Sequence, residues 1–322
     1  MEGTMNPVLK AIGDIGLVPT IKIHDASQAP ALARALVHGG IGIAEITFRT
    51  QAAGEAIRAI VDQVPEVLVG AGTVIDVERA RAAMEAGAAF IVAPGFNPAV
   101  VDFCLERGIP VVPGIDGPSG AEVALGRGLE VVKFFPAEQC GGVGMLKAMA
   151  GPFPELSYLP TGGIDATNIG PYARCPQVHA IGGSWMATSA MIDAGDWAGI
   201  SAACRAALQA LHGFSLMHLG LNHDSTEEAR SAAAFLGALG FAPKEGASSI
   251  FAGNSFELML GPGRGRYGHI GLTANNIDRA IAFLGRMGVG IVEETVKRDS
   301  QGTKVAYLDR ELSGFAVHLA RT

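Results

Sequence analysis

Between residues 17 and 184 the chain alternates eight short apolar, β-rich runs with stretches whose apolar residues fall at helical spacing. The runs are LVPTIKI (17–23), IAEITF (43–48), VLVGAGT (67–73), FIVAP (90–94), PVVPGI (110–115), VVKFFP (131–136), SYLPTGG (157–163) and HAIGGS (179–184). Segments such as ASQAPALARALVHGG and TQAAGEAIRAIVDQVP lie between them. Strands this continuously apolar are buried on both faces, and strands separated by helices run parallel. Eight such units predict a closed (β/α)8 TIM barrel, and no GxGxxG follows the first run to suggest a dinucleotide fold. The hydrophobic fraction of 49% supplies a large core, and many of the 44 glycines follow apolar runs, as strand-to-loop transitions require.

At 322 residues the chain exceeds the roughly 250 that one barrel needs, so a second, smaller domain is expected. Residues 185–212 read as a closing helical stretch that stops at Gly213. From Phe214 the pattern repeats. HLGL (218–221) recurs as HIGL (269–272), FLGALGF (235–241) as FLGRMGV (283–289), and GNSFEL (253–258) as GFAVHL (314–319). Each half reads strand, helix, then about three strands, which predicts an α+β domain of two βαβββ modules over 213–322, after a barrel over 1–212. Ser225 and Glu228 have the spacing of a capping box at the first module's helix.

A net charge of −7 without a basic stripe argues against nucleic acid or an anionic membrane as partner. The four cysteines, Cys104, Cys140, Cys175 and Cys204, are far apart and form no CxxC, which fits reduced thiols in a cytoplasmic protein. The opening MEGTMNPVLKAIGDIG lacks the basic start and apolar core of a secretory leader, and no apolar run reaches the length of a membrane span.

Barrels place their chemistry at the C-terminal ends of the strands. Glu45 and Arg49 fall at the end of the second run, Thr73 at the third, Lys133 in the sixth, Thr161, Gly162 and Gly163 at the seventh, and Gly183 and Ser184 at the eighth. Lys133 stands among the apolar side chains of VVKFFP. Burial of a lysine favours the neutral amine, which can attack a ketone and give an iminium, an electron sink for C–C cleavage. The alternative is a lysine that snorkels out or pairs with a carboxylate. Strand alternation puts Glu45, Thr47 and Arg49 on one face. Glu45 there is either a base for the substrate hydroxyl or half of an ion pair with Arg49, whose fork suits a carboxylate. The Gly-Gly pairs of the last two runs fit a phosphate held on loop amides, or two tight turns.

EITFRT (45–50), VGAGTV (69–74), APGFNP (93–98), PVVPGI (110–115), KFFPAE (133–138), AGPFP (150–154), PTGGI (160–164) and IGGSW (181–185), in this order, resemble the 2-keto-3-deoxy-6-phosphogluconate (KDPG) / 4-hydroxy-2-oxoglutarate (KHG) aldolase family. The resemblance covers about residues 8–210. It implies a Schiff base on Lys133, proton transfer by Glu45, and a pyruvate site lined by Arg49, Thr73 and Phe135, with Arg49 on the carboxylate. It implies that Thr161 meets the hydroxylated part of the substrate and that Gly162, Gly163, Gly183 and Ser184 form the phosphate end. It implies reversible cleavage of the phosphorylated keto acid to pyruvate and glyceraldehyde 3-phosphate, of 4-hydroxy-2-oxoglutarate to pyruvate and glyoxylate, or of both. No cofactor is expected for that reaction, and the family assembles as trimers. The chain departs from the family pattern at Gly117–Gly120, where Thr and Glu are commoner, and at Gln139-Cys140, where Asn is common.

The two repeated halves resemble the vicinal-oxygen-chelate (glyoxalase-like) family in HxGL, FLGxxG and the final strand of each half. That resemblance implies metal ligands at His218, Glu257, His269 and His318, with His318 in place of the more usual glutamate. Imidazoles with a carboxylate suit Zn, Fe, Ni or Mn. The alternatives are a separate metal-dependent activity, a binding or oligomerisation module, and a degenerate module whose histidines only pack.

Overall fold

The structure, a computed structural model, describes residues 5–299 and 302–321; the first four residues of the amino-terminal stretch lie outside it. The chain forms two compact units, Met1–Leu211 and His212–Thr322.

The first unit is a parallel α/β structure. Its strands are β1 (Leu17–Ile21), β2 (Ile43–Thr47), β3 (Leu68–Gly72), β4 (Phe90–Val92), β5 (Val111–Val112), β6 (Gly114–Ile115), β7 (Val131–Phe134), β8 (Ser157–Pro160) and β9 (Ile181–Gly183). β5, β4, β3, β2, β1 and β9 form one sheet in that order, and β6, β7 and β8 form another. All these pairings are parallel. Two further parallel bridges, Tyr158 with Val178 and Thr161 with Gly182, join the β8 region to the β9 region. The fifth run, expected as one strand, is split at Pro113. Proline has no N–H for a ladder, but the Pro113 carbonyl still accepts from Lys133 N at 2.9 Å.

Local sequence sets many of the helix ends. Asn6, Asp76 and Asn97 each turn a side-chain oxygen onto a backbone N–H in the first turn of the helices Pro7–Ile15, Val77–Glu85 and Pro98–Glu106. Gly16 stops the first of these at φ 77°, a backbone conformation that favours glycine. The closing stretch is two helices, Ser189–Asp193 and Trp197–His212, and Gly213 follows at φ 55°.

β2 is buried along its whole length, as are β4 and β7, so the core of this unit lies on the strands that carry the candidate chemistry. Phe90 is fully buried, and its ring fills the space over Gly70, where an added Cβ would fall 2.2 Å from it.

In the second unit β10 (Ser215–Leu221), β11 (Pro243–Glu245), β12 (Ser249–Ala252), β13 (Phe256–Met259), β14 (Gly268–Thr273), β15 (Lys297–Asp299), β16 (Gly302–Leu312) and β17 (Phe315–Ala320) form one sheet. Its order is β11-β12-β13-β10-β14-β17-β16-β15, symmetric about the antiparallel β10–β14 pair. Helix Thr226–Ala238 packs Ala229 and Ala233 on Ile250 and Leu258, and helix Ile277–Arg286 packs Ile277 and Ala280 on Leu319. Ser225 caps the first helix by accepting from Glu228 N at 3.2 Å, but the Glu228 carboxylate reaches back to Asp224 N rather than to the cap residue. Among the described residues no helix is long and apolar enough to cross a membrane.

The Phe90 packing gives a direct test. Phe90→Ala should destabilise the protein by about 3–5 kcal/mol, read as a lower midpoint in urea or heat; a change below about 1 kcal/mol would mean that the ring is not a core element.

Candidate functional site

β7 carries Lys133 with its side chain turned inward; the residue is 4% exposed. Its Nζ lies 3.5 Å from Glu45 Oε1. Glu45, on β2, is 0% exposed. The ionic partner of Glu45 is therefore the lysine of the sixth run. Arg49 lies beyond the end of β2 and donates from Nε to Thr47 Oγ1 at 3.1 Å, while Thr47 Oγ1 donates to the Ile21 carbonyl at 2.7 Å. Lys133 Nζ also lies 5.4 Å from the centre of the Phe135 ring.

Lys133 opens onto a cavity of about 200 Å³ lined by Thr20, Arg49, Thr73, Pro94, Phe135, Thr161, Gly162, Gly163, Ile164, Gly183 and Ser184. Every residue expected around the substrate from the sequence lines this one cavity. Glu45 lies behind its wall and touches two lining residues, Lys133 and Thr20.

The backbone is unusual at two places on this wall. Thr73 sits just past β3 at φ 57°, a left-handed conformation that a β-branched residue rarely takes. Such residues cost about 1–3 kcal/mol and cluster at binding sites. Gly162 and Gly163 follow at φ 103° and 78°. Their turn is held by Ala137 N on the Thr161 carbonyl at 2.8 Å, Glu138 N on the Gly162 carbonyl at 3.2 Å, and Asn168 Nδ2 on the Gly163 carbonyl at 2.8 Å. Glu138 in turn accepts a short hydrogen bond from the Tyr172 hydroxyl. The second Gly-Gly pair has another cause: a Cβ on Gly183 would lie 1.7 Å from the Trp185 ring, and one on Gly182 would lie 2.2 Å from Thr161 Oγ1.

In the second unit His218 (β10), Glu257 (β13), His269 (β14) and His318 (β17) come from four adjacent strands at the middle of the sheet. His218 Nε2 lies 3.0 Å from His269 Nε2 and 3.4 Å from His318 Nε2. Glu257 Oε2 lies 3.3 Å from His218 Nε2 and 3.1 Å from His269 Nε2. All three histidines are buried. Burial, then the neighbouring His269 and His218, push the His318 imidazole down to about 4. Burial works to raise the Glu257 carboxyl, but hydrogen bonds from His218, His269 and Ser249 outweigh it and hold the group well below the usual carboxylate range.

Sequence reasoning missed the residues that shape this cluster. Ser249 Oγ donates to Glu257 Oε1 at 2.7 Å. The Tyr307 ring stacks on His318 at 4.8 Å. A Cβ on Gly220 would meet the His269 ring at 2.2 Å, and one on Gly271 would lie 2.6 Å from the His218 ring and 2.7 Å from His318 Nε2. The repeated His-x-Gly carried that signal, because the glycine of each half makes room for the histidine of the other.

The family model for KDPG and KHG aldolase matches residues 8–203. A 2-dehydro-3-deoxy-phosphogluconate aldolase of Treponema pallidum is 45% identical over 205 residues, 64% of this chain and 98% of its own length. A KHG/KDPG aldolase of Escherichia coli K12 is 41% identical over 193 residues, 60% of this chain and 91% of its own. Among solved structures, the KDPG aldolase of Legionella pneumophila, with pyruvate captured as a covalent carbinolamine, is 36% identical with a TM-score of 0.60, covering 62% of this chain and 97% of that one. By its sequence over residues 8–203, the chain belongs to the KDPG and KHG aldolase family.

Proposed function

We propose that this chain is a class I aldolase, a carbon–carbon lyase that cleaves 2-keto-3-deoxy-6-phosphogluconate to pyruvate and glyceraldehyde 3-phosphate, 4-hydroxy-2-oxoglutarate to pyruvate and glyoxylate, or both. The reading rests on one observation: an almost fully buried Lys133 amine, 3.5 Å from the Glu45 carboxylate, opening on a cavity with a guanidinium on its wall. In this reading residues 1–212 form a closed (β/α)8 barrel, with the β8–β9 bridges completing the ring. We place the protein in the cytoplasm, as a trimer like its family.

The reaction follows from the groups present. The Lys133 amine adds to the C2 ketone, and loss of water gives the iminium. Arg49 holds the substrate carboxylate with its fork, and Thr73 and Phe135 pack around the pyruvate half. Glu45 accepts the proton of the C4 hydroxyl, the C3–C4 bond breaks, and its electrons flow into the iminium to leave an enamine. The proton then returns to C3, and hydrolysis frees pyruvate and the lysine. Thr161 meets the hydroxylated carbons. The amides of Gly162, Gly163 and Gly183 with the Ser184 hydroxyl take the phosphate.

For residues 213–322 we propose a glyoxalase-like domain of two βαβββ modules with a metal centre on His218, Glu257, His269 and His318. Ligands about 2.1 Å from one ion stand about 3.0–3.4 Å apart, in tetrahedral or octahedral array, and His218 lies 3.0–3.4 Å from His269, His318 and Glu257, with His269 3.1 Å from Glu257. Neutral imidazoles with one carboxylate suit Zn, Fe, Ni or Mn, and such an ion would supply Lewis-acid chemistry there. A separate metal-dependent activity follows from this centre; a binding or oligomerisation module does not need it.

Lys133→Ala should abolish cleavage. Glu45→Gln should slow it by about a hundredfold or more while pyruvate still forms the imine; native turnover in Glu45→Gln would remove Glu45 from proton transfer. Elemental analysis of the full chain should find about one divalent ion per chain, lost in His269→Ala. Affinity for that ion should fall as the pH is lowered, because protons compete with the metal for its ligands. Equal metal content in His269→Ala would contradict the centre.

A further inference from the structure

We propose that Thr20 is a positioning residue that holds the Glu45 carboxylate for proton transfer. The inference rests on the reading of Glu45 given above.

Thr20 is on β1, directly across the parallel ladder from Glu45. The segment is LVPTI, and Leu17, Val18 and Ile21 are fully buried. A β-branched apolar residue would fill such a strand as well as threonine does, so packing alone does not call for the hydroxyl. Its Oγ1 donates to Glu45 Oε2 at 3.3 Å. Hydrogen bonds around catalytic groups often run long until the reacting complex forms.

The other Glu45 oxygen is placed differently. Oε1 is buried without a hydrogen-bond partner, 3.5 Å from the Lys133 amine. It lies against the bare Cα of Gly72, where a Cβ would come within 2.1 Å. One oxygen is thus tethered by Thr20, and the other is left free beside the amine on which the imine forms. A carboxylate held by one edge keeps its second oxygen on the side of the Lys133 amine. Thr20 also lines the cavity, so the tether stands at the boundary between Glu45 and the bound keto acid.

The step is read most cleanly in pyruvate alone. Glu45 takes a C3 proton from the pyruvate iminium, the C–H electron pair becomes the C2–C3 double bond, and the iminium becomes an enamine. In D2O a deuteron returns to C3, so loss of the methyl proton signal by NMR measures the transfer. With the full chain, Thr20→Val should slow this exchange about tenfold, whereas Thr20→Ser should stay within about twofold of native. Borohydride trapping of pyruvate on Lys133 should be unchanged in Thr20→Val. In a Glu45→Gln background Thr20→Val should have no further effect, as expected for two groups acting as a unit.

Native exchange in Thr20→Val with slow exchange in Glu45→Gln would overturn this inference alone. So would an equal fall in Thr20→Ser and Thr20→Val, additive losses in the double variant, or loss of trapping in Thr20→Val. Native exchange in Glu45→Gln would remove the proton-transfer reading of Glu45 and this inference with it.

Discussion

The first unit is organised around one contact, the Lys133 amine against the Glu45 carboxylate inside the protein. Withdrawing an ammonium and a carboxylate from water is expensive, and their attraction offsets that cost only with good geometry and further hydrogen bonds. Here the geometry is sparse: 3.5 Å between the charges, one long bond from Thr20, and a carboxylate oxygen without a hydrogen-bond donor. A pair arranged for stability would be better satisfied. This pair leaves the amine open to the cavity with an unbonded carboxylate oxygen 3.5 Å behind it, a disposition that suits imine formation followed by proton transfer. The surroundings serve that end. β1, β2, β3 and β7 each place one member, and Gly72 keeps clear the space that the Glu45 oxygen occupies.

Much of this is legible in the sequence. A lysine inside VVKFFP, a glutamate inside IAEITF and glycine pairs at two strand ends all stand out, because each breaks the apolar pattern of its strand. Thr20 does not. One threonine in a β-rich run reads as strand propensity, and only the register of β1 on β2 puts it beside Glu45. The same holds for Gly72, Gly220 and Gly271, whose bare Cα atoms matter because of what leans across from a neighbouring strand. Periodicity along one segment carries no information about such lateral contacts. Strand alternation suggests an ion pair between Glu45 and Arg49, but β2 ends at Thr47, so Arg49 lies in the turn beyond it and bonds Thr47, while Lys133 reaches Glu45.

The two units draw on different chemistry. In the first, a single amine is buried beside a carboxylate, and reactivity comes from a covalent bond to the substrate. In the second, three imidazoles cluster, with the Glu257 carboxylate against two of them, on a sheet whose strand order is symmetric about β10 and β14. Internal repetition explains why these side chains come in matched positions: the first strand of each half gives His218 and His269, and the last gives Glu257 and His318. The aldolase family match ends at residue 203 and does not reach the histidine cluster.

The central claim is a covalent bond between one particular nitrogen and a keto acid. Incubating the full chain with isotopically labelled pyruvate, reducing with borohydride and mapping the peptides by mass spectrometry tests it directly. One labelled site is expected, the Lys133 side chain in the VVKFFP peptide, with the adduct mass of a reduced pyruvate imine. Label on another lysine, or none at all while cleavage continues, would contradict it.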